Sequence, residues 1–222
     1  MLRPRKKIVK KEIKDDALVT YYFKAQKLFS TYSKQIQIGL ITVLVLTVLG
    51  VLMVRSKKKA DTDASGKLGL VEQYYYMGDY QRAIPEFNTI KDKYSGTPSA
   101  GTATFFLANA YVSTGNMDQA EKCYRLYIDN YGQSSVFSAS SLAGLAACYE
   151  SKKQYGQAAN LYEKAGEKYS ELFSAPFYLK EAGRCYTQAN DKAKAKAVYQ
   201  LLLKKYPDST PAQEAELRMA VL

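Results

Sequence analysis

Four tyrosines, Tyr74, Tyr111, Tyr149 and Tyr186, recur at intervals of 37, 38 and 37 residues. Nine residues after each stands an alanine (Ala83, Ala120, Ala158, Ala195), and four further on an aromatic (Phe87, Tyr124, Tyr162, Tyr199). Seven beyond that a tyrosine returns (Tyr94, Tyr131, Tyr169, Tyr206). All sixteen positions match in type, which constrains the chain to a repeat architecture. Each unit reads as one apolar-periodic helix ending near its first tyrosine. A second helix begins just after a turn, and the turns are MGDY, TGNM, KKQY and ANDK. Alanine lets the two helices approach where they cross, and the aromatics fill the wider gaps. One helix pair cannot bury its apolar face alone, so the units must stack into a solenoid.

The stretch YYYMGDYQRAIPEF, residues 74–87, contains one such junction. Tyr74, Ala83 and Phe87 are repeat-core positions, whereas Tyr75 and Tyr76 fall off the core template. These two are candidates for a stacking surface.

A second feature precedes the repeats. Gln35–Val54 is a run of 20 uncharged residues, and 36–54 contains 13 Leu, Ile or Val. A helix of that length spans roughly 30 Å, the thickness of a bilayer's hydrocarbon core. At about −0.3 to −0.6 kcal/mol each near the helix centre, the aliphatics offset Gln37, Thr42 and Thr47. Residues 36–54 are therefore expected to be a transmembrane helix contacting the lipid bilayer. It reads as an uncleaved anchor, because a long tail precedes it and RSKKK follows where a cleavage site would lie.

The charge distribution excludes nucleic acid as a partner. Net charge is +11, yet residues 1–59 hold 14 Lys and Arg against Glu12, Asp15 and Asp16. The remaining 163 residues carry 18 charges of each sign and are neutral. A neutral repeat domain lacks the electrostatic basis for phosphate-backbone binding. Residues 1–35 form a basic tail, with apolar Leu18, Tyr22, Ala25, Phe29 and Tyr32 at helical spacing among Lys24, Lys27 and Lys34. That pattern suits either an interfacial helix against anionic headgroups or a plain solvated helix. Counted over the whole tail, the positive-inside rule puts the N-terminus in the cytoplasm. Counted near the span, RSKKK tips the balance the other way.

The expected fold is all-α. After a linker at 55–65 come helix pairs near 66–94, 98–131, 135–169 and 175–206, then a capping helix at 210–222. Thr210 serves as N-cap and Pro211 as N1 of that last helix. The chain has no histidine, no Gly-rich phosphate loop and no metal-ligand spacing. No catalytic, cofactor or metal site is expected, and Cys123, Cys148 and Cys185 read as small core residues.

Leu107-Ala108-Tyr111-Ala120-Tyr124 and Ala182-Gly183-Tyr186-Ala195-Tyr199-Pro207 resemble the tetratricopeptide repeat signature. The chain departs from it in having no Trp at the first position and a terminal proline only at Pro207. Each unit is also three or four residues longer, in SGTPSAG, GQSSVFS and SELFSAP. The resemblance implies a right-handed solenoid that binds proteins or extended polypeptides in a groove lined by the first helices. Carried over to this sequence, the groove positions include Glu72, Tyr75, Tyr76, Phe105, Asn109, Val112, Glu150, Lys180 and Arg184. Phe177 belongs to the same set. A clamp for a carboxylate terminus is only fragmentary (Asn109, Lys180, Arg184), so extended or partly folded polypeptide is the expected guest.

The layout of basic tail, single span and repeats is similar to ancillary Sec-translocon proteins of the bacterial inner membrane. That group implies a periplasmic repeat domain and contacts with the translocon and periplasmic chaperones. Two alternatives stay open: a cytosol-facing receptor for chaperones or targeting sequences, and a structural adaptor in envelope assembly or cell division.

Overall fold

The structure is a computed structural model that describes residues 17–222. The basic tail through Asp16 and the Leu18 side chain lie outside the described residues. The chain divides into two compact units, Met1–Ser56 and Lys57–Leu222.

In the described part of the first unit the backbone is helical. It belongs to helix α1, Ala17–Tyr76, whose backbone departs from helical geometry at Tyr32 (φ −109°, ψ 16°). That break falls within the lysine-containing segment, two residues before Lys34 and ahead of the apolar run. Along the apolar run the large side chains are exposed, Leu44 and Leu46 among them. Thr42 and Thr47 satisfy their hydroxyls on backbone carbonyls, donating to Ile38 O and Leu44 O. No polar side chain in the stretch therefore needs solvent except the glutamines.

The second unit contains the remaining helices. They are α2 (Tyr80–Lys93), α3 (Pro98–Ser113), α4 (Met117–Asn130) and α5 (Ser135–Ser151). They continue with α6 (Tyr155–Lys168), α7 (Ala175–Gln188), α8 (Lys192–Lys205) and α9 (Thr210–Met219). Among the described residues all structure is helical, with nine helices and no strand. Consecutive helices pack on one another, and α3 also meets α5 and α7 meets α9. The first helices of successive pairs thus lie side by side, as stacked units require.

Residues 55–65 were expected to be a linker and are instead helix throughout, as part of α1. The physical reason is visible in their contacts. Ala64 is fully buried and Ala60 packs on the same apolar cluster, which also takes in Leu68 and Val71. Thr62 donates its hydroxyl to Lys58 O, and the Asp61 carboxylate accepts the Ser99 backbone N–H at 2.9 Å. Asp61 thereby caps the start of α3, where backbone donors have no intrahelical partner.

The turns inside the four pairs share one geometry. Backbone N–H groups of Asp79, Asn116, Gln154 and Asp191 each donate to the carbonyl of the aligned tyrosine five residues earlier, at 2.8–2.9 Å. The residue before each donor is left-handed: Gly78, Gly115, Lys153 and Asn190, with φ between 60° and 77°. This is the bonding that ends helices at a left-handed residue. Asp79, Asn116 and Asp191 then cap the following helix through their side chains. Gln154 makes no side-chain cap, so the third turn lacks both glycine and cap.

Close approach of the helices is enforced at small residues. Ala83, Ala120, Ala158 and Ala195 have no exposed surface. A Cβ placed on Gly144 would sit 2.3 Å from the Tyr124 ring, and one on Gly183 would sit 2.3 Å from the Tyr199 ring. Exposed Gly69 in α1 faces open space. We predict that Gly183→Ala lowers unfolding free energy by about 1–3 kcal/mol through overpacking. Gly69→Ala should raise it by about 0.5–1 kcal/mol, because alanine is the better helix former. Denaturant titration checks both signs; stabilisation by Gly183→Ala would contradict the packing argument.

Candidate functional site

The groove positions expected from the sequence lie on the first helix of each pair, and the two halves of that set differ in chemistry. Where the end of α1 meets α3 the surface is aromatic. Tyr75 is half-buried and meets Phe106 edge-on at 5.1 Å, with Tyr80 and Phe87 at 5.7 and 6.3 Å. Tyr76 lies against the same Phe106 at 6.0 Å but is 72% exposed. Edge-on pairs at this separation are favourable beyond the area they bury. Leu70 and Met77 are exposed apolar side chains on the same end of the chain's first repeat.

Phe105, a groove candidate from the sequence, is buried in the core. It stacks on Phe137 of α5 at 4.5 Å and approaches Tyr127 of α4 at 6.0 Å. Its neighbour Phe106, not singled out from the sequence, is the ring that Tyr75 and Tyr76 meet. Phe106 is buried as fully as Phe105, and one residue turns a helix by about 100°, so the two rings meet different neighbours. Val112 is half-buried and packs on the core cluster. Asn109 accepts the Tyr124 hydroxyl at 2.5 Å, which ties α3 to α4.

The other half carries charge, and that charge is matched within the chain. Arg184 of α7 donates to the Glu150 carboxylate of α5 at 2.6 Å and to Glu181 at 2.6 Å. Lys180 pairs with Glu214 of α9 at 2.9 Å and lies 3.7 Å from Glu181. Glu150 therefore reaches across one repeat boundary and Glu214 across the next. Partial burial works against the Arg184 charge, but the hydrogen bonds to Glu150 and Glu181 outweigh it and push its pKa up. The Cys185 thiol points at Glu150, 3.4 Å away, and burial pushes its pKa up to about 12. Burial likewise raises Cys123 and Cys148 to about 11, so all three thiols stay protonated at neutral pH.

Structure brings together Glu150, Lys180 and Arg184 as one network, and Tyr75 with Tyr76 as one cluster. Glu72 is half-buried on α1 and enters neither. Lys180 and Arg184 each have carboxylate partners, so they are not free to clamp a peptide terminus. Phe177 lines a cavity between α7 and α9 together with Tyr206 and Pro211.

A similar network joins the second and third pairs nearer the outer helices. Lys152 bonds Asp118 at 2.7 Å and Glu121 at 2.8 Å, and Arg125 pairs with Glu121. Arg125 also donates to the Tyr149 hydroxyl.

A stack of paired helices with matched charges and a preformed aromatic surface defines a helical-repeat interaction scaffold. The chain belongs to the tetratricopeptide repeat-like domain family, which it matches over residues 26–221. No curated protein matches the chain. Among solved structures, the nearly identical repeats of a kinesin light chain from Podosopora anserina are similar at 17% identity and a TM-score of 0.57. They cover 72% of this chain and 85% of that one. BtubC from P. vanneervenii is similar at 14% identity and a TM-score of 0.53, over 74% of this chain and 82% of its own. Pseudomonas aeruginosa PilF is similar at 15% identity and a TM-score of 0.53, over 75% and 78%. At such identities the likeness concerns the fold.

The hydrogen bond to Lys152 holds the Glu121 and Asp118 carboxyls below their ordinary values. A lowered carboxylate pKa contributes stability above the ordinary carboxylate range and loses it as pH falls through the lowered value. We therefore expect wild type to melt above Lys152→Met at pH 7, by a small margin because the pairs are solvent-screened. That margin should shrink as pH falls below the ordinary carboxylate range towards the lowered values, where the paired carboxylates take up protons. Thermal melts from pH 3 to 7 measure it; a margin independent of pH would remove the ion pairs from the account.

Proposed function

We propose that this protein is a membrane-anchored repeat scaffold that holds extended or partly folded polypeptide against its inner face. The observation that carries the reading is residues 36–54, a helical, exposed and uncharged stretch in a chain whose family match begins ahead of it. The helix containing it is long and apolar enough to cross a membrane, with a mean hydropathy of 2.5 in its most apolar window. Exposed aliphatic surface on that scale is costly in water and favourable in hydrocarbon.

In this reading the basic tail stays in the cytoplasm of a bacterium and the repeat domain stands in the periplasm. The aromatic cluster around Tyr76 supports an apolar guest, since Tyr76 offers an amphipathic ring without a charge to satisfy. The matched charges of Lys180, Arg184, Glu150 and Glu214 argue against a guest chosen for its own charge. Together with the layout of tail, span and repeats, this favours a role beside the secretory translocon and its chaperones, where unfolded chains emerge.

Protease added to intact spheroplasts tests the topology. The expected result is digestion of the repeat domain while an epitope on the N-terminal tail survives. Survival of the repeat domain with loss of the tail epitope would place the repeats in the cytosol, as a receptor there requires.

A further inference from the structure

The loops between successive pairs build the same notch twice. In each, an aligned tyrosine of one pair bonds the backbone of the loop ahead of it. Tyr131 accepts the Gly96 N–H at 3.5 Å, and Tyr206 donates to Ser170 O at 2.7 Å. Beside each tyrosine lies a cavity of about 520 Å³. The first is lined by Lys91, Asp92, Ser95 and Asn130 among others, a polar wall. The second is walled by Leu172, Phe173, Pro176, Phe177 and Pro211 around Tyr206.

The comparison within one chain separates architecture from anything further. The first notch shows that stacking the repeats needs no aromatic ring there beyond the aligned tyrosine, Tyr131. Phe173 nevertheless stands 88% exposed, 5.8 Å from the 40% exposed Phe177. Exposed phenylalanine contributes nothing to the core and carries a solvation cost, so paired rings over an open cavity mark a contact site. The walls are preformed. Pro176 and Pro211 sit in the first turns of α7 and α9, and Tyr206 is fixed by its bond to Ser170. A rigid, concave, apolar pocket loses little entropy when filled. Glu171 and Asp208 line the same cavity, and no basic side chain does.

We infer that the Phe173–Phe177 notch is a second docking site, which takes an aliphatic or aromatic side chain from an extended partner segment flanked by lysine or arginine. The apolar side chain fills the space between Phe173 and Tyr206, and the flanking cations meet Glu171 and Asp208. The site lies at the opposite end of the repeats from the Tyr76 cluster, and apart from the question of topology.

The test uses the full chain in detergent and two fluorescein-labelled nine-residue peptides. Both have a Leu-Val-Leu core; one is flanked by lysines, the other by glutamates. Fluorescence anisotropy should show the lysine peptide binding at least about tenfold more tightly. Phe173→Ser should weaken it by about tenfold or more, the size expected for an anchoring ring, and Phe173→Ser/Phe177→Ser further still. Tyr76→Ala should leave it unchanged, which distinguishes this site from the inner face. Unchanged melting of Phe173→Ser, whose side chain is exposed, guards against loss of fold. Equal binding of the two peptides, or binding insensitive to both serine variants, overturns the proposal. So does loss of binding in Tyr76→Ala alone. Self-association that Phe173→Ser abolishes, without peptide binding, would make a second copy the occupant and also overturns it.

Discussion

The close contact between a small residue on one helix and an aromatic ring on its neighbour governs this protein. Gly183 against Tyr199 and Gly144 against Tyr124 leave no room for even a methyl group. The aligned alanines are buried to the last square ångström. Helices held this closely present rings and backbones to the next pair, and the next pair must be present to cover them. The domain is therefore a stack in which no unit is stable alone. The same constraint explains why residues 57–65 are helical, since Ala60 and Ala64 cover the first pair where no earlier unit exists.

Stacking also decides what the inner face can bind. Carboxylates and cations on neighbouring first helices face each other across the last two boundaries, and Glu150–Arg184 and Lys180–Glu214 satisfy them internally. Such pairs fix the relative register of the helices more than they stabilise the fold, because solvent screens them. The surface left unsatisfied is aromatic, centred on Tyr76. Charge is used for architecture at Lys180 and Arg184, and the exposed ring of Tyr76 carries none.

The sixteen aligned positions announced the helix pairs, because their residue types report directly on how closely two helices can approach. The turns were legible for the same reason, although Lys153 shows that a left-handed turn residue need not be glycine. The helix at 55–65 was hidden, since Asp, Ser and Gly suggest a linker and only the partner surface reveals why they are helical. The burial of Phe105 was not legible in the sequence. Phe105 and Phe106 are adjacent, chemically identical and both buried, and only their neighbours differ: Phe105 stacks on Phe137, whereas Phe106 also meets Tyr75 and Tyr76. The pairing of Lys180 and Arg184 depends on residues 34 positions away, beyond the reach of any local pattern.

Site-specific photo-crosslinking in living cells tests the central claim most directly. A photoreactive residue at Tyr76 on the inner face is compared with one at Lys196, an exposed position on the outer helix α8. The account predicts crosslinks from position 76 to unfolded chains in transit, lost when secretion is blocked, and none from position 196. Crosslinks from 76 only to folded partners, persisting when secretion is blocked, would contradict it.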